Sequence, residues 1–160
     1  MKNLLSCEED FAQIMDLQLN LLDEQEHIRF DNFCELIVRN PDKYGVVELY
    51  ESMVSIPTYK TIRDLITFPK ETIIVDCGCG NGFQQIIFKD CYKYIGIDLF
   101  PNYTKICANA QFIQGDICEI LPNLEFEENK TVYGISVLCG MCFMNVNKAM
   151  RDKFERIVIC

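Results

Sequence analysis

Between Thr72 and Phe100 the chain changes character twice within thirty residues, and that stretch limits the fold more than any other. Thr72-Ile73-Ile74-Val75-Asp76-Cys77 is a short β-branched apolar run, the pattern of a strand buried on both faces. Gly78-Cys79-Gly80-Asn81-Gly82 follows as a turn, Phe83 to Cys91 reads as a helix, and Tyr94-Ile95-Gly96-Ile97-Asp98 reads as a second strand ending in an acid. A strand, a glycine turn, a helix and a strand describe a parallel pair joined by a right-handed crossover. In an open sheet of that kind, ligands sit beyond the carboxyl ends of the strands, and the loop leaving the first strand borders the crevice. Glycine there permits positive φ and close approach of a ligand to the backbone. The free N–H groups of a helix opened by such a loop suit a polar or anionic ligand.

The same alternation continues. Tyr103 to Ala110 reads as a helix, Phe112-Ile113-Gln114-Gly115-Asp116 as a third strand, Thr131 to Leu138 as a fourth, Asn145 to Phe154 as a helix and Arg156 to Cys160 as a fifth strand. Residues 1–70 read differently, as a helical cap or lid. Ser6 and Glu9 have the form of a capping box, and apolar residues from Phe11 to Leu22 recur at spacings of three and four. A second helical pattern covers His27 to Val38, and further helical pieces lie near Val46–Val54 and Thr58–Phe68, parted around Pro57. The expected architecture is α/β, a Rossmann-like doubly wound and mostly parallel sheet spanning 71–160, with an N-terminal helical region.

Two phosphate-binding signatures fail at the glycine turn. G-x-G-x-x-G started at Gly78 ends on Phe83, and the Gly-Lys-Ser/Thr of a P-loop is absent. The pattern present is Asp76-x-Gly78-x-Gly80-x-Gly82. It resembles motif I of the class I S-adenosylmethionine-dependent methyltransferases. Tyr94 to Asp98 resembles that family's second strand with its ribose-binding acid, and Phe112 to Ile117 its third strand, whose terminal acid faces the adenine. The resemblance implies S-adenosylmethionine as cofactor. Gly78, Cys79, Gly80 and Gly82 would pass its methionine and ribose, and Asp76 would support the loop or the cofactor ammonium. Asp98 would hold the ribose hydroxyls with Leu99 against the adenine, and Asp116 would accept from the adenine amino group with Ile117 packing on the ring. Carboxylates accept and apolar side chains sandwich a flat base, so the residue types suit those roles.

Charge and the remaining motifs narrow the acceptor. A formal net charge of −9 gives nothing to phosphate counterion release, so a nucleic-acid partner and an anionic membrane surface are disfavoured. The Asn/Asp-Pro-Pro-aromatic motif of base- and amide-modifying members has no counterpart in Val137 to Phe143. The implied reaction is methyl transfer to a small molecule, with no catalytic side chain assigned. His27 is the sole histidine and reads as structural or solvated. A non-catalytic cofactor-binding or scaffold protein is the alternative. An exposed fifth strand would offer an edge for a homodimer.

Ten cysteines give a third reading. Cys77, Cys79, Cys139 and Cys142 would meet at one end of the sheet, as a metal site or a redox pair. Packing as small apolar thiols is the simpler expectation, and no metal is assigned. No export signal or long apolar run is visible, which favours reduced thiols and a cytoplasmic protein. Phe30, Phe33, Tyr44, Tyr50 and Tyr59 suit either a substrate pocket or core, and helical spacing favours core.

Overall fold

A computed structural model of the chain describes residues 45–100, 103–137 and 143–159, together with Gln25. The cap helices expected within the first 44 residues, His27, and Cys139 and Cys142 lie outside the described residues.

Every residue of β1 (Thr72–Cys77) is buried, which places this strand at the centre of the sheet. It pairs in parallel with β2 (Lys93–Asp98) on one side and β4 (Thr131–Ser136) on the other. β3 (Ala110–Gln114) and β5 (Arg156–Ile159) complete a five-stranded sheet of order β3-β2-β1-β4-β5, with all four pairings parallel. The order reverses at β1, so the loop leaving β1 opens into the crevice between outward and return halves.

Alternation along β1 divides the core. Ile73, Val75 and Cys77 pack with Ile95, Ile97, Ile117, Leu121, Val146 and Met150, beneath α3 (Ile117–Ile120) and α4 (Phe143–Lys153). Ile74 faces the other way, with Tyr94, Ile135 and residues of α1 (Val46–Val54) and α2 (Pro57–Asp64). Met53 and Tyr59 are fully buried there, so these two helices share the core of the sheet. Tyr59 is therefore core. Tyr50 packs at its margin, and Phe30, Phe33 and Tyr44 lie outside the described residues. No helix among the described residues is long and apolar enough to cross a membrane.

Two expected helices are absent. Phe83 to Cys91 contains only a 3-10 helix, Phe83–Ile86, followed by turns. The turns keep the tighter i to i+3 bonding, with Ile87 N donating to Gln84 O and Phe88 N to Gln85 O. Tyr103 to Ala110 forms an irregular loop instead of a helix. Its backbone groups are claimed from outside: the side-chain Oε1 of Gln85 accepts from Ile106 N and Cys107 N, both at 2.8 Å, and Gln85 Nε2 donates to Thr104 O at 2.8 Å. β3 accordingly starts at Ala110, and Asp116 lies beyond it as the N-cap of α3.

Candidate functional site

The glycine loop is shaped by its own backbone and by two acids. Gly78, Gly80 and Gly82 all have positive φ, at 79°, 55° and 75°. At Gly82 the need is also steric, since a Cβ there would lie 2.5 Å from Cε1 of Phe112. Phe112 in turn stacks on Tyr103, with ring centroids 4.5 Å apart, so an aromatic pair supports one side of the loop. At Gly80 a Cβ would meet nothing within 4 Å, so this residue borders open space.

Asp98 stands at the end of β2 and ties the loop to its own strand. Its Oδ2 accepts from Gly80 N at 2.8 Å and its Oδ1 from Phe100 N at 3.0 Å. Each oxygen keeps a further lone pair, so the carboxylate can still accept from ligand hydroxyls. Leu99, next along, is 48% exposed and offers an uncovered apolar surface beside it.

Asp76 is the penultimate residue of β1 and is completely buried. Its Oδ2 accepts from the Tyr94 hydroxyl at 2.5 Å, while its Oδ1 has no hydrogen-bond partner among the described residues. Burial pushes this carboxyl up to about 7; the Tyr94 hydrogen bond pulls it down, and the charge of Asp98 raises it again. Burial, followed by the neighbouring Asp76, raises the Tyr94 phenol as well, so the phenol is the proton donor of the pair. A buried carboxylate oxygen left unpaired is costly unless a ligand or water completes it.

The remaining expected residues fall into two groups. Asp116 is exposed, and its Oδ1 caps α3 by accepting from Cys118 N at 2.8 Å. Ile117 departs from expectation: it is 7% exposed and packs in the core beneath the sheet, because the cap at Asp116 turns the next side chain inward. Cys79 is buried in the loop. Sequence reading missed three contributors, namely Tyr94, Gln85 and the Tyr103–Phe112 pair. All act across strands or loops, and a Gln amid apolar residues was their one visible sign.

No group of three or more His, Cys, Asp or Glu among the described residues is arranged to hold a metal. Burial pushes the thiols of Cys91 and Cys107 up to about 12 and about 11, so both stay protonated and poorly nucleophilic at neutral pH. Two of the cavities bounded by described residues have no glycine-loop residue in their lining. One, of 230 Å³, is lined by Tyr50, Arg63 and Phe88, and the other is an open groove of 800 Å³ along β3. Neither holds Asp76 or Asp98, so the unpaired oxygen and the open space at Gly80 are better guides to the site than cavity size.

The chain is 25% identical over 154 residues to ribosomal RNA small subunit methyltransferase G of Brevibacillus brevis, covering 94% of this chain and 60% of that protein. It is also 38% identical over 65 residues to mouse tRNA (carboxymethyluridine(34)-5-O)-methyltransferase ALKBH8, covering 41% of this chain and 10% of that protein. Both relatives are methyltransferases by name, in keeping with the resemblance to the class I S-adenosylmethionine-dependent methyltransferase family that the motifs carry. The chain spans less than two thirds of the length of either relative. Among solved structures, Podospora anserina methyltransferase PaMTH1, determined with S-adenosylhomocysteine, gives a TM-score of 0.46 at 13% identity over 96% of this chain and 68% of that one. YjhP from Escherichia coli gives 0.45 at 17% identity over 63% of this chain and 46% of that one. No protein-family model matches the chain.

Proposed function

We propose that this chain binds S-adenosylmethionine at the glycine loop and transfers its methyl group to a small-molecule acceptor. One observation carries the reading. A buried carboxylate, Asp76, keeps one oxygen unpaired among the described residues, beneath a loop whose Gly80 is open to ligand and whose geometry Asp98 fixes. The residues present fit the cofactor. Asp76 Oδ1 can take its ammonium, directly or through water. Gly78, Cys79, Gly80 and Gly82 let its methionine and ribose lie against backbone. Asp98 has lone pairs for the ribose hydroxyls, and Leu99 has exposed surface for the adenine face. Asp116 can accept from the adenine amino group through the oxygen not engaged by Cys118 N. The buried Ile117 can contribute through its backbone alone.

Bound there, the cofactor would supply an electrophilic methyl on a sulfonium. The chain's own part is then to bind, to orient and to keep the acceptor in line, which suffices for a large share of the rate without a dedicated base. The net charge of −9 supports a small acceptor over a polyanion. An RNA acceptor is the second reading, favoured by the names of the two sequence relatives.

Calorimetric titration with S-adenosylhomocysteine tests the site. Binding by the wild type, weakened at least tenfold in Asp98→Ala, is the expected result, since Asp98 both shapes the loop and meets the ribose. Failure of the folded wild type to bind sinks the proposal. Transfer of labelled methyl groups to a metabolite extract, set against transcribed ribosomal and transfer RNA, then separates the two acceptor classes.

A further inference from the structure

The hydrogen bond at Asp76 crosses the sheet on a diagonal. In register, Asp76 of β1 stands opposite Gly96 of β2, while Tyr94 stands opposite Ile74. Tyr94 and Gly96 are two residues apart and share a face. Gly96 presents no side chain on that face. A Cβ there would lie 2.7 Å from Phe112 and 2.9 Å from Cys79 Sγ. Tyr94 is fully buried, with its ring edge-on to Phe112 at 6.0 Å and stacked with Phe88 at 6.2 Å. The phenol is thus fixed by aromatic packing, and its hydroxyl meets Oδ2 of Asp76 at 2.5 Å. Oδ1 of the same carboxylate is buried and has no partner among the described residues.

We propose that Tyr94 is a positioning residue for the cofactor: by holding Oδ2 it fixes the rotation of the Asp76 carboxylate and reserves Oδ1 for the ammonium of the ligand. This rests on the cofactor reading above, but it concerns a residue outside the glycine motif.

The same contact sets the charge state. An ammonium needs the ionised carboxylate, and burial opposes ionisation. The Tyr94 hydroxyl donates to the charged form and favours it, while Asp98 opposes it. Cys79 and Cys107 are the other titratable groups that act on the phenol. With Asp76 titrating at about 7, affinity should climb as pH rises and begin to level near neutrality. Replacing Tyr94 by Phe removes the donor, so the carboxyl titrates higher and Oδ2 loses its partner.

The test is calorimetry of S-adenosylhomocysteine on the full chain between pH 5 and 7.5, where the ligand stays an ammonium, since even a chain-terminal α-amino group titrates only at about 7.7–8.0 and the ligand's own carboxylate raises its amine further. Wild type, Tyr94→Phe and Asp76→Asn are compared, with thermal melts to show that each is folded. For a shift of one unit, Tyr94→Phe should bind about tenfold more weakly, with a curve still rising at the top of the range. Asp76→Asn should bind weakly with a nearly flat profile. A Tyr94→Phe curve that overlays the wild type overturns this inference alone, whereas a wild type that binds at no pH overturns the cofactor reading and this inference together. Should Tyr94→Phe not fold, wild-type protein labelled with 13C at tyrosine Cζ replaces it. One buried tyrosine signal should then follow the pH midpoint of the affinity curve, and its failure to move overturns the proposal.

Discussion

Asp76 shows how one residue can weaken the fold at the place where a ligand would repair it. Its carboxyl is held near 7 in the folded chain by burial, against 3.8 for an unburied aspartate. Between those values the folded state binds more protons than the unfolded state, so stability must fall as pH rises. The contribution is fully present below about 4 and is lost as pH climbs through about 7, at no more than about 1.4 kcal/mol per pH unit. Asp76→Asn cannot ionise, so its melting temperature relative to the wild type should increase from pH 5 to pH 8. A difference that stays constant over that range would count against the burial argument. The three glycines and Asp98 were legible as a group from their spacing, and Asp76 through the motif I resemblance. Tyr94 was not, because its role depends on the register that places it diagonally from Asp76 across Gly96. The motif resemblance implied that Ile117 packs on the adenine ring. The sequence does not show that the acid before it caps a helix and turns that residue into the core.

At the scale of elements, local pattern located the strands well and the connections poorly. β1 spans Thr72–Cys77 as expected, and β2 and α1 lie where the apolar runs put them. Buried strands show in sequence as continuous β-branched runs, whereas the connections here are decided by contacts between residues about twenty positions apart. Gln85 is the clearest case. Fully buried, it donates to Gly82 O and Thr104 O and accepts from Ile106 N and Cys107 N, all at 2.8 Å. One side chain therefore joins the glycine loop to the segment before β3 and replaces the helix that Tyr103–Ala110 suggested. Gln85→Leu keeps the volume and strands those four backbone groups. With losses near 1 kcal/mol per bond, and burial raising that, the variant should lose about 3–4 kcal/mol in denaturant unfolding. Amide exchange at Ile106 and Cys107 should speed up more than exchange in β1. Equal acceleration throughout the sheet would show that Gln85 is only a filler.

For the molecule as a whole, the two faces of the sheet do different work. The face beneath α3 and α4 is apolar, built from Ile, Val, Leu, Met and Phe. The face beneath α1 and α2 carries the buried tyrosines together with Asp76 and Gln85. All the polar groups that shape the glycine loop from within are thus on the side the N-terminal helices cover, and packing there reaches the loop through Tyr94 and Phe112.

The short 3-10 turn after the glycine loop also decides which sign of charge the crevice can welcome. A full α-helix starting at Gly82 would direct aligned peptide dipoles, worth about half a positive charge, at any ligand in the loop. Four residues of 3-10 helix supply little of that field. The acids nearby among the described residues are Asp98 and, once ionised, Asp76. A crevice so polarised disfavours pyrophosphate and favours ammonium and sulfonium groups, so electrostatics as well as shape should discriminate between classes of nucleotide. Neither ATP nor NAD should displace bound S-adenosylhomocysteine at concentrations where S-adenosylmethionine does, and competition calorimetry at low salt is the direct measure.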